Sequence, residues 1–315
     1  MAKKFQPLDL RRVKTYSLLD RQSKVKADDF AGTWQKGASL RAFLNSLPDI
    51  LAGRDLRKVI TAITAAFADG RTIIFGMGAH VIKVGLNPVI IDLMERGVIT
   101  SVAMNGAGII HDAELAMVGR TSEDVAAALS DGSFGMARET CTFLARAIKT
   151  VKGNQTGLGR AVGQAIIDDQ LPMMDQSILA AGVRLDIPVT VHVAIGTDII
   201  HMHPGFDPQK TGAASHRDFR QFASIVATLE KGVYLNVGSA VILPEIFLKA
   251  VTLVRNLGYP LDAFTTVNLD FIKHYRPQTN VISRPTANSG QGIAIVGHHE
   301  ILLPLIAAGV IEQME

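Results

Sequence analysis

The sequence predicts an α/β protein with a Rossmann-like three-layer fold, in which helices cover both faces of a mostly parallel sheet. Short apolar runs typical of buried strands alternate with longer segments of helical periodicity, as in a parallel sheet. Glycines or polar residues follow several of these runs, where a strand would pass into a helix. The composition agrees, since 48% of the 315 residues are hydrophobic and can form a large core.

The individual elements follow from changes of period along the chain. Apolar residues at helical spacing predict two helices before the first strand, at residues 38–52 and 55–69, which we expect to pack on the same core. Apolar runs predict six strands, at residues 72–75, 99–104, 187–195, 233–237, 263–267 and 293–296. Helical patterns predict helices at residues 88–96, 121–150, 160–184, 218–231, 244–257 and 300–313, and another that opens at Asp112. Leu171-Pro172 predicts a break within residues 160–184, because proline lacks the amide donor of a helix interior.

The charge distribution predicts a basic N-terminal arm of residues 1–30 and a single domain of residues 31–315. Residues 1–26 hold eight Lys or Arg and two acids, whereas the whole chain has a formal net charge of +3, so the body is mildly acidic. We expect the arm to be solvated or packed against a partner subunit. Binding of nucleic acid is not expected, because no interleaving of aromatic and basic residues accompanies the arm.

Targeting signals are not expected either. No apolar stretch approaches the ~18 residues of a membrane span, and Met1-Ala-Lys-Lys leads into no apolar run. The single cysteine, Cys141, lies in a helical pattern and fits a reducing compartment. We therefore expect a cytoplasmic protein without a membrane partner.

Polar side chains collect just after the predicted strands. Ligands of an open parallel sheet bind beyond the carboxyl ends of its strands, where helix N-termini converge. Six of the nine histidines follow such an end, namely His80, His111, His201, His203, His298 and His299. Lys83, Asn105, Asp112, Asp198 and Glu245 lie at the same exits. We expect a pocket there with titratable walls.

Two glycine turns raise the question of a nucleotide. Gly76-Met-Gly78 and Gly106-Ala107-Gly108 each follow a predicted strand, but Val81 and His111 replace the third glycine of the dinucleotide fingerprint. The second strand also ends in Asn105 instead of the acid that would bind a ribose. The motif alone is therefore weak support for a dinucleotide.

A metal site is an alternative that the sequence does not favour. His201-Met-His203 places two imidazoles close together, and Asp112, Asp198 or the His298-His299 pair could add ligands. The spacing matches no closed metal motif such as HExxH.

From about residue 30 to the C-terminus the chain resembles deoxyhypusine synthase. Residues 75–85 resemble that family's Gly-Tyr-Thr-Ser-Asn-Leu-Ile-Ser-Ser-Gly segment, and residues 105–112 its Thr-Ala-Gly-Gly-Val-Glu-Glu-Asp. Residues 196–203 resemble its Leu-Thr-Asp-Gly-Ser-Leu-Gly-Asp, and residues 295–305 its Tyr-Ala-Asp-Ala-Ser-Leu-Val-Phe-Pro-Leu. The resemblance implies a Rossmann-like subunit, NAD at the strand exits, and a homotetramer with active sites between subunits.

The departures from the family fall on its chemistry. Its members oxidise spermidine with NAD and carry the aminobutyl group on a lysine, but Leu243 or Glu245 stands at that position here. Ile110 and His111 replace two glutamates, and His203 replaces the polyamine-binding aspartate. Because a polycationic amine requires acidic walls, spermidine is not the expected substrate.

These residues predict NAD-dependent redox chemistry on a small hydroxy or amino compound, neutral or anionic. We expect His111, backed by Asp112, to be the general base, with His203 and Glu245 as further catalytic residues. Asp198 is expected to contact a cofactor ribose or to orient His201. The complete set of expected cofactor-binding residues is Gly76, Gly78, His80, Lys83, Asn105, Gly106, Ala107, Gly108, Asp198 and His298.

Three alternatives remain open from the sequence. One is metal-assisted hydrolysis or lyase chemistry by His201 and His203. Another is a catalytically silent binding protein that kept the fold. The last is residual aminobutyl transfer through Lys249, which follows Glu245 on the same predicted helix.

Overall fold

The computed structural model describes residues 5–151 and 155–314. A single sheet of six parallel strands has the order β3-β2-β1-β4-β5-β6. The strands are β1 (Ile73–Met77), β2 (Ser101–Asn105), β3 (Val189–His192), β4 (Val233–Val237), β5 (Thr265–Asp270) and β6 (Gln291–Val296). Each overlaps a strand that the sequence predicts, and the predicted fold class is confirmed.

Helices connect successive strands. The α-helices of the described residues are α1 (Leu40–Ser46), α2 (Leu51–Ala68), α3 (His80–Lys83), α4 (Asn87–Glu95), α5 (Gly106–Val118), α6 (Val125–Leu129), α7 (Arg138–Lys149), α8 (Leu158–Asp168), α9 (Ile178–Arg184), α10 (Pro208–Val226), α11 (Ile242–Asn256), α12 (Tyr275–Pro277) and α13 (His299–Ile311). No described helix combines the length and the apolar character that a membrane crossing requires.

The prediction of one helix over residues 121–150 is wrong. Two helices, α6 and α7, occupy this stretch, and Gly132 and Gly135 between them both have a φ of 76°. This left-handed conformation suits glycine and interrupts a helix. In contrast, the break predicted at Leu171-Pro172 is confirmed, because α8 and α9 lie on either side of it.

Helix α10 begins well before its predicted start at residue 218. Asp207 caps it by accepting a hydrogen bond from the amide of Lys210 at 2.9 Å, and Pro208 occupies the first helical position. An acid followed by proline is a favourable helix start, because the side chain satisfies a free amide and proline has none to satisfy.

The core lies on both faces of the sheet. Leu44 of α1 and Val59 and Ile60 of α2 belong to the larger apolar cluster, together with β1. The prediction that these early helices pack on the common core is therefore confirmed. On the other face, the rings of Tyr234 and Phe247 stack with centroids 3.8 Å apart.

The N-terminal arm has little contact with this core. Apart from Asp29, residues 5–34 are exposed, and they contain short 3-10 turns such as Leu10–Arg12. Residues 1–4 of the arm lie outside the described residues. The division into an arm and a single domain stays a prediction.

The direction in which the chain winds reverses between β1 and β4, at the centre of the sheet. In doubly wound folds this switch point opens a crevice at the carboxyl ends of the strands. Here the loops after the two strands approach closely, since a Cβ on Gly78 would lie 2.1 Å from the carbonyl oxygen of Gly238. Only glycine fits at position 78 without a shift of the backbone.

We therefore expect Gly78→Ala to lower the free energy of unfolding by about 1–3 kcal/mol, because the new methyl group overlaps backbone. Gly212→Ala is the matched control: Gly212 lies in α10, and apart from the backbone of its own helix no atom lies within 4 Å of the position that a Cβ would take. The free energy of unfolding of this variant should rise by about 0.5–1 kcal/mol, because alanine favours a helix interior. Urea unfolding followed by circular dichroism measures both, and equal effects of the two changes would contradict the close approach at Gly78.

Candidate functional site

A cavity of about 210 Å³ opens at the carboxyl edge of the sheet, beside the ends of β2 and β3. Its titratable lining residues are Lys83, His111, Glu114, Glu123 and Asp198. Ala107 and Ile110 of α5 contribute to the same wall. The structure thus brings together four residues that the sequence nominates, namely Lys83, Ala107, His111 and Asp198.

The start of α5 forms one wall of the cavity. Asn105 caps this helix by accepting a hydrogen bond from the amide of Gly108 at 3.2 Å. A Cβ on Gly106 would lie 2.0 Å from Oδ2 of Asp198, and one on Gly108 would lie 2.7 Å from the sulfur of Met104. These glycines therefore serve close packing inside the chain, whether or not they also contact a cofactor.

His111 belongs to a hydrogen-bonded series on the cavity wall. Its Nδ1 lies 2.7 Å from Oγ1 of Thr121, and the hydroxyl of Thr121 donates to Oε2 of Glu114 at 2.5 Å. Because the only hydroxyl proton of Thr121 points to Glu114, Nδ1 of His111 must donate to Thr121. The neutral ring therefore keeps a free lone pair on Nε2.

The protonation of His111 follows from its burial. Burial lowers the pKa of His111 below its ordinary value of 6.5, against the opposing effect of Glu114, and Lys83 lowers it further. A neutral imidazole with a fixed tautomer can accept a proton at neutral pH.

Sequence reasoning missed Thr121 and Glu123. Both lie in the loop between α5 and α6, a stretch predicted to be helical. Asp124 marks the real helix start, because its carboxylate accepts hydrogen bonds from the amides of Ala126 and Ala127. That capping position was the signal that could have revealed the loop.

Asp112 does not support His111. It is fully buried and accepts hydrogen bonds from Asn87, from the hydroxyl of Ser177, and from the amides of Ile178 and Leu179 at the start of α9. Burial raises its pKa, and the four donors oppose that effect. Asp112 therefore has a structural role in holding α9. Thr121 and Glu114 occupy the position beside His111 that we had expected Asp112 to occupy.

Asp198 lies deep in the cavity wall. The residue is 8% exposed, and its Oδ2 has no hydrogen-bond partner among the described residues. Burial raises the pKa of its carboxyl to about 6. Backbone amides hold the ring of His201, because its Nδ1 accepts hydrogen bonds from the amides of Asp198 and Gly196.

His201 and His203 do not form a common site. His201 packs edge-on against Phe206 with its Nε2 buried. Nε2 of His203 lies 3.2 Å from the carbonyl oxygen of Gly135. The residue borders a separate surface depression beside Cys141. No cluster of three or more His, Cys, Asp or Glu side chains in the described ranges could hold a metal ion.

His80 follows β1 and His298 follows β6. His80 is exposed, with its ring centroid 5.5 Å from that of His299 and 5.8 Å from that of Phe271. His298 is exposed at the start of α13, near Glu300. Neither residue lines the cavity.

Glu245 lies outside the cavity as well. It pairs with Lys249 one turn later on α11, and accepts a hydrogen bond from Asn280 at 2.8 Å. The hydrogen bond from Lys249 holds the pKa of this carboxyl below its ordinary value. Lys249 therefore pairs with Glu245 on an exposed helix face, outside the cavity.

Comparisons with known proteins agree at the level of the fold. The putative deoxyhypusine synthase of Entamoeba histolytica is similar with a TM-score of 0.54 over 90% of this chain and 97% of that chain, at 12% identity. A putative LOR/SDH protein of Methanococcus maripaludis S2 gives a TM-score of 0.51 at 15% identity, over 88% and 71% of the two chains. No protein-family model and no curated protein matches the sequence.

A further similar structure is AgrE in a ternary complex with ornithine and NAD⁺. The TM-score is 0.54 at 14% identity, over 85% of this chain and 34% of AgrE. The chain thus spans about a third of that protein's length. Identities at this level show a shared fold, so the resemblance to deoxyhypusine synthase extends to architecture alone.

We expect Asp112→Ala to lower the free energy of unfolding by about 2–4 kcal/mol, because four buried donors lose their acceptor. Asp92→Ala serves as control, since Asp92 is half exposed and forms only an ion pair with Arg96 one helical turn away. Loss of this ion pair should lower the free energy of unfolding by about 0.5 kcal/mol or less. Urea unfolding compares the two, and similar small losses would contradict the structural role of Asp112.

Asp198 should make stability depend on pH. Its folded-state pKa of about 6 lies above the ordinary value of 3.8, so the folded protein loses stability as pH rises through this range. Asp198→Asn should therefore be more stable than the natural chain by about 1–3 kcal/mol near pH 7, and nearly equal to it near pH 4. Urea unfolding at both pH values tests this, and a pH-independent difference would count against it.

Proposed function

We propose that this chain is an NAD-dependent enzyme that oxidises a small hydroxy or amino compound, with His111 as general base, and that it does not make deoxyhypusine. The series Glu114–Thr121–His111 in the cavity wall carries the proposal. A base of this kind requires a neutral ring, a fixed tautomer and access to the substrate, and His111 combines the first two with a place in the cavity lining.

The chemistry assigned to the chain is proton removal. Oxidation of an alcohol or amine takes a proton from oxygen or nitrogen and a hydride from the adjacent carbon. Nε2 of His111 accepts the proton, and the positive charge on the ring is stabilised by Glu114 through the hydroxyl of Thr121. NAD, when bound, supplies the acceptor for the hydride.

The switch point between β1 and β4 suits the cofactor in this proposal. Gly78 and His80 follow β1 there, His298 follows β6 at the same carboxyl edge of the sheet, and α11 and α13 begin at that edge. The exposed ring of His80 beside Phe271 offers a surface on which a cofactor ring can pack. Helix N-termini favour the anionic pyrophosphate. These features fit a dinucleotide, and the NAD⁺ complex of AgrE supports the proposal at the level of the fold.

Two measurements test the function as a whole. Native mass spectrometry of freshly purified protein should reveal retained NAD, and NADH absorbance should appear when NAD⁺ is combined with a member of a panel of small hydroxy and amino compounds. If neither NAD⁺ nor NADH binds to the protein in titration calorimetry, the proposal is overturned.

His111→Ala should lower turnover by about 10²–10⁴-fold, the usual contribution of a general base, while NAD binding persists. Thr121→Val should act in the same direction, because His111 then loses the partner that fixes its tautomer. Thr252→Val is the control, since the hydroxyl of Thr252 bonds only to the carbonyl of Leu248 within α11. Steady-state kinetics measure the turnover of each variant. Full turnover in His111→Ala would reject this residue as the base.

A further inference from the structure

We infer that the cavity beside β2 and β3 binds a small zwitterionic amino acid, with the ammonium group at Glu114, Glu123 and Asp198 and the carboxylate at Lys83. This inference names the substrate class of the proposed active site and rests on that proposal in placing the substrate there. Its own basis is the uncompensated charge of the cavity wall.

Three carboxylates and one lysine line the cavity. None of the three carboxylates forms an ion pair with an Arg or Lys in residues 5–151 and 155–314, whereas surface acids such as Asp169 pair with arginine. The pKa of His111, the histidine beside Glu114, is lowered by burial, so the wall carries excess negative charge at neutral pH. Such a wall attracts a cation and repels a simple anion.

The hydrogen bonds of these acids orient them without neutralising them. Glu114 accepts from the hydroxyls of Thr121 and Thr140, and Glu123, at the exposed mouth, accepts from the amide of Gly135 at 2.9 Å. Asp198 is more than nine-tenths buried, and its Oδ2 lacks a partner. A buried carboxylate in this state is costly unless a ligand supplies the donor.

An ammonium group fits this wall better than a metal ion. The carboxylates do not converge as a metal-ligand cluster. An ammonium group instead donates in three directions and tolerates acceptors that are spread around it. The cation is therefore expected to be part of an organic molecule.

The size of the cavity and its single lysine define the rest of the ligand. A cavity of about 210 Å³ suits a compact small molecule. Lys83, the one lysine of the lining, favours a negative group. A compact molecule with both charges matches these walls, whereas a polyamine would place ammonium groups against Lys83.

The test measures binding to the full chain without NAD. Ligand-observed NMR titrations would use each proteinogenic L-amino acid and L-ornithine. For the tightest binder, the matching 2-hydroxy acid and the decarboxylated amine would follow, with spermidine as a further probe. We expect an amino acid to bind, and both single-charge analogues to bind about tenfold more weakly, because each loses a charge-assisted contact.

Variants then assign the two charges. Asp198→Asn and Glu123→Gln should each weaken amino-acid binding by about threefold to tenfold. Lys83→Met should weaken binding of the amino acid but not binding of the decarboxylated amine. This variant should therefore no longer prefer the amino acid over the amine. Glu139→Gln is the matched control, because Glu139 is exposed on α7 and lies outside the cavity. It should leave the affinity unchanged.

Each contrary result overturns the inference. These results are binding of no amino acid, equal binding of the 2-hydroxy acid, tighter binding of spermidine, or an unchanged affinity in both Asp198→Asn and Glu123→Gln. Because NAD is absent from these titrations, amino-acid binding and NAD binding can fail separately. A protein that binds NAD but no amino acid would refute the substrate class and leave the redox proposal standing.

Discussion

The cavity depends on the close approach of the loop after β3 to the first residue of α5. The carboxylate of Asp198 occupies the space that a side chain at position 106 would fill. This contact joins the segments that follow two neighbouring strands, β2 and β3, and sets Asp198 on the same wall as His111. Any side chain at position 106 would separate these segments, so the absence of a Cβ there shapes the candidate site.

Buried aspartates serve two different purposes in this molecule. Asp112 accepts four hydrogen bonds, and Asp218 accepts from the amides of Gly159 and Val191, so both hold neighbouring backbone in place. Asp198 is nearly as buried but has an oxygen without a donor. Burial of a charged group without compensation is destabilising, and proteins retain such groups mainly where a ligand makes use of them.

The strand exits were predictable because the carboxyl ends of parallel strands meet at one edge, and apolar runs reveal the strands. The partners of His111 were harder to predict. Consecutive residues of a helix point about 100° apart, so Asp112 could not share a face with His111, whereas Glu114 could. Thr121 comes from a loop whose path depends on tertiary contacts, such as the hydrogen bond from the amide of Gly135 to Glu123. Helical periodicity does not encode that path.

The position of Thr121 also links the chemistry to local order. This residue lies beyond the end of α5, so the ring of His111 keeps its orientation only while the connecting segment stays in place. Opening of that segment would let the imidazole exchange its proton between both nitrogens, although the sheet and the surrounding helices remained intact. Inactivation by mild heat or denaturant would then precede global unfolding, and a ligand that braces the segment would protect the activity more than it raises the melting temperature.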